Sequence, residues 1–111
     1  MKNDQEKVLR SNLEEFYELA ELAYNKGKYN AAAALYYNAL VEVCDLVLLK
    51  ELNKIGANHT ERFSLLERHS PQLYQTARKL FRFYRDSYSK QVSKAVVESM
   101  RDNVEISKRM V

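Results

Sequence analysis

Three arginines along one predicted helix are the side chains in this sequence best suited to bind an anion. Arg78, Arg82 and Arg85 stand at positions i, i+4 and i+7, so they share one helical face at the edge of the apolar stripe. Guanidinium groups bind phosphate through paired hydrogen bonds, and Lys90 adds a fourth cation nearby. We predict a phosphate-binding set at these four positions. The alternative is a solvated face, or pairing with glutamates of the first helix.

The two histidines, His59 and His69, carry the side chains that ordinarily titrate near neutral pH. His59 opens a predicted helix, where it either caps the helix or belongs to a site. His69 lies at a predicted helix C-terminus, where the helix dipole accounts for it. No group of histidines, cysteines and carboxylates has the spacing of metal ligands. We therefore expect no metal and no cofactor.

The positions of the apolar residues predict an all-α chain. They recur every three to four residues, and only two glycines and one proline interrupt the pattern. Long helices with short connections favour an up-and-down bundle of antiparallel helices. We place four to five helices at about 4–25, 29–53, 59–69, from 71 to a break near 87–89, and 92–109.

Local sequence signals set most of these boundaries. Gly27 ends the first helix, since glycine accepts the left-handed conformation of a C-cap, and Ile55-Gly56-Ala57 ends the second. Pro71 stops the third helix and starts the fourth, with Ser70 as its N-cap. No glycine or proline marks the break between the fourth and fifth helices. Two further pairs have the spacing of capping boxes: Asn3 with Glu6, and Asn58 with Glu61.

The second predicted helix is the apolar centre of the sequence. Its residues 31–34 are all alanine, and apolar side chains occupy nearly its whole circumference, so helices must cover it on several sides. One of these helices can come from a second copy, so we predict a homodimer. Cys44 has no cysteine to pair with, which predicts a buried thiol. The fourth and fifth helices are expected to bury two further sets of residues: Leu73, Ala77, Leu80, Phe81, Tyr84 and Tyr88, then Val92, Val96, Met100 and Val104.

The bulk composition fits one helical domain over residues 1–111. A chain of 111 residues with 46% hydrophobic and 30% charged residues can bury a core of its own. The net charge of +3 permits phosphate binding but is weaker than that of a nucleic-acid-binding arm. A lone cysteine, a polar N-terminus and interrupted apolar runs predict a cytoplasmic protein that does not span a membrane.

One segment has the small and aromatic residues with which two antiparallel helices nest together. It runs from Ala20 to Leu40 and includes Gly27, Tyr29 and Tyr36. This segment resembles a single tetratricopeptide repeat. One copy predicts a helical hairpin and not a peptide-binding array. It also motivates the alternative function of a non-enzymatic adaptor that binds a protein partner.

Three segments together carry a wider resemblance, over about residues 5–108. They are KYNAAAALYYNALVEVCDLVLLKE in the second helix, IGANHTERFSLL after it, and LFRFYRDSYSK in the fourth helix. The chain resembles the small stand-alone prokaryotic members of the HEPN superfamily (higher eukaryotes and prokaryotes nucleotide-binding domain). That resemblance implies a four- to five-helix bundle, homodimerisation, and metal-independent ribonuclease activity or nucleotide association. It also implies a nucleotidyltransferase partner in a toxin–antitoxin module.

The sequence departs from the pattern of active members of that superfamily. Those members carry an Arg followed by a polar residue and, a few positions later, a His. Arg85-Asp86 matches the first part, but Lys90 stands where the His is expected. A lysine acts as an acid–base group near neutral pH only if its pKa falls by several units. Arg85 and His59 are the remaining candidate catalytic residues, and we expect weak or absent ribonuclease activity.

Overall fold

Five helices make up the computed structural model of the chain, which describes residues 2–111. They are α1 (Lys2–Asn25), α2 (Tyr29–Leu52), α3 (His59–His69), α4 (Pro71–Asp86) and α5 (Lys94–Lys108). No strand occurs in this range, so the prediction of an all-α fold is confirmed. The longest dimension of the molecule is 38 Å. A helix of 24 residues is about 36 Å long, so α1 and α2 run its whole length.

Left-handed residues end the two long helices. Gly27 follows α1 with a φ of 73°, as predicted. The helix α2 ends at Leu52, close to the predicted end near residue 53. Its C-cap is Asn53, which takes the left-handed conformation with a φ of 58° and whose N–H donates to the carbonyl of Leu49. Gly56 has another role, since a Cβ added there would lie 2.7 Å from the Cβ of Arg62. A glycine therefore lets the α2–α3 loop pack closely against α3.

Side-chain caps begin α3 and α5. The Asn58 Oδ1 accepts from the Glu61 N–H at 2.9 Å, as the capping-box spacing predicted, and the Glu61 carboxylate accepts from the Ala57 N–H at 2.9 Å. The Ser93 hydroxyl accepts from the Val96 N–H in the same way. The cap at Ser93 explains why α5 begins slightly later than predicted.

The predicted cap at Asn3 is wrong, because Asn3 lies inside α1, which already includes Lys2. Ser70 and Pro71 hold the predicted N-cap and first-turn positions of α4, but the Ser70 side chain makes no capping hydrogen bond. A fixed proline φ is suited to a first helical turn without help from a side chain.

The core of the molecule is built around α2, on which all four other helices pack. Cys44 is buried there, as predicted. The length of α2 and its mean hydropathy of 1.6 would allow it to cross a membrane, but 78% of that apolar window is buried inside the protein. This burial is what the core helix of a bundle requires. Between Ala32 and Leu49, four residues are only half-buried: Ala34, Leu35, Asn38 and Val41.

The apolar stripe of α4 is shorter than predicted. Leu73, Ala77 and Leu80 are buried, and Phe81 and Tyr84 are half-buried. Tyr88 was wrongly assigned to this stripe, since its side chain is 73% exposed. It lies beyond the end of α4, where the helical period no longer holds.

The buried stripe of α5 is confirmed at Met100 and Val104, and Val92 is buried as well. Val96 is only half-buried, and its neighbour Val97 is fully buried in its place. Val92 precedes the helix, so its spacing to the later residues does not follow the helical period. Val97, Met100 and Val104 do follow it.

One side chain holds the α4–α5 connection against the start of α2. The Asn30 Nδ2 donates to the carbonyl oxygens of Ser87, at 2.8 Å, and Lys90, at 2.6 Å. The Asn30 Oδ1 accepts from the Val92 N–H at 3.0 Å. A long-range amide therefore fixes this break in the helices, which explains why no local glycine or proline marks it.

Candidate phosphate-binding site

The outward face of α4 carries four cations: Arg78, Lys79, Arg82 and Arg85. All four are exposed, and none of them pairs with a carboxylate anywhere in residues 2–111. The alternative of pairing with first-helix glutamates is therefore wrong. We call these residues the α4 cationic face. They line a shallow groove together with Gln75, Phe81 and Phe83.

The ring of Phe81 joins the α4 cationic face to His59. The Cζ of Arg85 lies 5.7 Å from the centroid of this ring, and the centroid of the His59 ring lies 5.2 Å from it. A guanidinium is attracted to the face of an aromatic ring, so Arg85 has a partner here that leaves its charge unneutralised. The two candidate catalytic residues thus contact one ring, although they come from different helices.

Aromatic rings from α2 and α4 surround His59. Tyr37 and Tyr84 stack with their centroids 4.5 Å apart and their planes at 23°. Their centroids lie 6.0 Å and 6.3 Å from that of His59. The hydroxyl of Tyr84 shares a hydrogen bond of 2.9 Å with the hydroxyl of the exposed Tyr88. Tyr37 is buried and Tyr84 is half-buried, so Tyr88 is the exposed ring of this group.

A buried ion pair lies beneath His59. Arg62 donates from Nε to the Asp45 Oδ1 at 3.0 Å and from Nη2 to the Asp45 Oδ2 at 3.2 Å. Both side chains are more than nine-tenths buried. The loop supports the pair, because the Gly56 N–H donates to the Asp45 Oδ1 at 3.3 Å and the Gly56 carbonyl accepts from Arg62 at 3.4 Å. These bonds fix the guanidinium in one orientation.

The free edge of that guanidinium faces His59. The Arg62 Nη1 lies 3.4 Å from the His59 Nδ1. Partial burial, and then the positive charge of Arg62, lower the pKa of His59 below its ordinary value of 6.5. Both causes disfavour the imidazolium form. His59 is therefore neutral at physiological pH.

Glu42 is a second buried carboxylate near the ion pair. Its Oε2 is buried with no hydrogen-bond partner among residues 2–111. Burial, followed by the nearby charge of Asp45, raises the pKa of Glu42 from 4.5 to about 7. A carboxyl group with an unpartnered oxygen is easier to bury when it is protonated.

The structure separates Lys90 and His69 from this site. The Nζ of Lys90 lies 3.7 Å from the Asp86 carboxylate, and Lys90 lines a different small groove with Asn30 and the α4–α5 turn. His69 is exposed at the opposite end of α3 from His59. Of the predicted phosphate-binding residues, only Arg78, Arg82 and Arg85 therefore lie together.

Sequence reasoning missed the ion pair and the stacked tyrosines. Asp45 and Arg62 lie on different helices, and only the path of the loop at Gly56 brings them together. One signal was visible, because an aspartate in the middle of an apolar helix requires a buried partner. Lys79 was missed as well, although it follows Arg78 directly.

Across residues 2–111, no three His, Cys, Asp or Glu side chains are grouped closely enough to hold a metal ion. Comparisons of the chain with protein-family models, with curated proteins and with solved structures give no match. The function of the chain is therefore inferred from the geometry of the α4 cationic face and of the aromatic cluster around His59.

Proposed function

We propose that the chain is a nucleotide- or RNA-associated helical domain whose α4 cationic face binds the phosphates of single-stranded RNA. The observation that carries this proposal is the exposure of Arg78, Lys79, Arg82 and Arg85 without a carboxylate partner. Uncompensated charge on one face attracts a polyanion and releases its counterions. The rings of Phe81 and Phe83, which line the same groove, add a surface on which the bases of single-stranded RNA can stack.

Binding is measured by fluorescence anisotropy with a labelled single-stranded RNA. Arg82→Ala and Arg85→Ala should each weaken binding by about 1–3 kcal/mol, or about 5- to 150-fold, because each removes a charge-assisted contact. The slope of log affinity against log salt should also become shallower by about 0.7 in each variant. Arg10→Ala is the matched control, since Arg10 lies on α1 and already pairs with Glu6 at 3.0 Å.

Equal affinity of wild type, both α4 variants and Arg10→Ala would assign the α4 cationic face to solvation and refute the proposal. An equal loss in all three variants would point to a diffuse effect of net charge. Circular dichroism of each variant shows that its helices are intact.

The resemblance to the HEPN superfamily adds a biological setting to this proposal. In that setting the chain is a cytoplasmic protein, and the degenerate ribonuclease half of a toxin–antitoxin module with a nucleotidyltransferase partner. Co-expression with the product of an adjacent gene tests it, because a nucleotidyltransferase that co-purifies with this chain would support the pairing. An adjacent gene of another class would count against it.

A second candidate, the binding of a protein partner, has its own observation. Val8, Leu19 and Leu22 on α1 are 57%, 43% and 50% exposed. Val8 and Leu19 lie on one side of α1. The helix α2, which packs against α1, carries the half-buried residues Ala34, Leu35, Asn38 and Val41. Neighbouring apolar side chains on a surface mark an interaction site.

We propose that a second copy of the chain covers this surface, as the apolar circumference of α2 predicted. The small alanines allow two helices to approach closely, and the Asn38 amide can both donate to and accept from its own symmetry mate. Light scattering at tens of micromolar should then give twice the chain mass of 13.0 kDa, with a buried area of about 1,000 Å² or more. Leu19→Glu should give monomers, whereas Leu19→Met should not. A wild-type monomer would refute the dimer and favour an adaptor that binds another protein.

A further inference from the structure

The contact between Arg62 and His59 restricts where the imidazole can carry its proton. A guanidinium has hydrogen-bond donors and no acceptor. The His59 Nδ1, at 3.4 Å from the Arg62 Nη1, can therefore only accept in this contact. A neutral imidazole has one protonated nitrogen, so the proton of His59 must be on Nε2, at the edge of the ring that faces away from Arg62.

Asp45 holds the Arg62 guanidinium in the orientation that this contact requires. Arg62 cannot turn away, because its Nε and Nη2 are both bonded to the buried Asp45 carboxylate and Nη2 also reaches the Gly56 carbonyl. Breaking a buried pair of this kind leaves an uncompensated charge in the interior. The Nη1 edge of Arg62 is therefore aimed at His59 by the fold.

The groups that face His59 from the other elements do not offset this arrangement. Tyr37 from α2 and Tyr84 from α4 present rings to the imidazole. Phe81 contacts both His59 and the cationic Arg85. No carboxylate within residues 2–111 forms an ion pair or a hydrogen bond with His59. Protonation of the imidazole would thus add a cation beside Arg62 without a compensating anion.

We propose that Arg62, oriented by Asp45, fixes His59 in the neutral tautomer with the proton on Nε2, so that His59 meets its ligand as an uncharged hydrogen-bond donor. The ligand half of this inference rests on the proposed binding of RNA, whose phosphate and base oxygens accept hydrogen bonds. Arg62 and Asp45 are positioning residues in this scheme. His59 cannot take a proton at Nε2 in this state, which removes the role of general base from the nitrogen that faces away from Arg62.

The tautomer is measured by two-bond ¹H–¹⁵N correlation spectra of the whole chain with ¹⁵N-labelled histidine. His69 is an internal control, since it is exposed and lies at the other end of α3, and His69→Gln assigns the two sets of signals. We expect the spectrum of wild-type His59 to show a protonated Nε2 and an unprotonated Nδ1. Its titration should lie below the ordinary imidazole value of 6.5. A proton on Nδ1, or a titration of His59 at or above that value, would overturn the proposal.

The positioning role is tested by the double substitution Asp45→Asn with Arg62→Gln, which keeps the shape of the pair and removes both charges. We expect the pKa of His59 to rise and the single tautomer to give way to a mixture. If this variant unfolds, the wild-type spectrum still decides the assignment. An unchanged spectrum in a folded double variant would show that Arg62 does not set the tautomer.

The donor role is tested by comparing two substitutions in the RNA-binding assay. The terminal amide nitrogen of Gln occupies the place of an imidazole Nε2, so His59→Gln should retain affinity within about threefold, whereas His59→Leu should lose roughly tenfold. Wild-type affinity should also not strengthen as the pH falls from about 8 to about 6. Equal affinity of wild type and His59→Leu would overturn the donor role. Absence of RNA binding by the wild type would instead refute the proposed function and leave the tautomer result standing.

Discussion

Two neighbouring regions of this molecule differ in whether their charges are neutralised. Beneath His59, Asp45 and Arg62 neutralise each other, and the raised pKa of Glu42 reduces its charge. On the α4 cationic face, a short distance away, four positive charges have no carboxylate partner. The interior requires compensation because desolvation of a charge is costly, whereas water solvates the outer face. We infer that the inner charges support the fold and the outer charges are free to bind a ligand.

The largest expected effect is on stability, at the inner pair. Arg62→Ala should lower the free energy of unfolding by about 3–5 kcal/mol, because it leaves the Asp45 carboxylate buried and unpaired. Arg82→Ala removes the same side chain from the outer face and should change stability by no more than about 0.5 kcal/mol. Urea denaturation monitored by circular dichroism measures both values. Equal destabilisation by the two substitutions would break the distinction between the regions.

A smaller effect concerns the pH dependence of stability at Glu42. The pKa of this carboxyl is about 7 in the folded chain and 4.5 ordinarily, so the unfolded chain releases the proton at lower pH than the folded chain does. Stability from Glu42 is therefore complete below about pH 4.5 and is lost as the pH rises through about 7. We expect a loss on the order of 1–3 kcal/mol.

Glu42→Gln keeps the shape of the side chain and removes the titration. Urea unfolding at about pH 5 and about pH 8 should show the loss in wild type and a smaller one in this variant. Glu15→Gln, on the exposed side of α1, is the control and should behave as wild type does. If Glu42→Gln and wild type lose the same stability between the two pH values, another group is responsible.

The smallest expected effect is on RNA cleavage. The isolated protein should show weak or absent ribonuclease activity in the presence of a chelator, because the proposed tautomer leaves the Nε2 of His59 unable to accept a proton and the Lys90 Nζ lies 3.7 Å from the Asp86 carboxylate. Any residual activity should fall in His59→Ala and Arg85→Ala. Gel analysis of a labelled single-stranded RNA measures this. Robust cleavage by wild type and by His59→Ala alike would place the reacting groups elsewhere.

The sequence was most informative where a boundary depended on local chemistry. Gly27 and the Asn58–Glu61 cap act through bonds within a few residues of themselves, so their spacing predicted their roles. The break after α4 was located only loosely, because the Asn30 amide that holds it lies at the start of α2, far from the break along the sequence. The burial of Tyr88 was predicted wrongly because the helical period does not apply to residues beyond the end of a helix.

The candidate site was predicted only in part. Arg78, Arg82 and Arg85 lie on one helix, so their common face follows from the helical repeat alone. Lys90 lies past the end of α4, and its pairing with Asp86 could not be read from that repeat. The chemical state of His59 was also out of reach, because it depends on Arg62 and on the burial created by Tyr37 and Tyr84.

The sequence by itself determined that this chain is helical, that α2 is its core and that one face of α4 is cationic. Each of these properties depends on the periodic order of residue types along a single segment. Only the tertiary structure decided that Asp45, Arg62 and His59 form one chain of contacts, and that Phe81 places Arg85 beside them. Contacts between helices depend on the path of the loop that connects them. The path of the α2–α3 loop past Asp45 is set by the packing of the whole core.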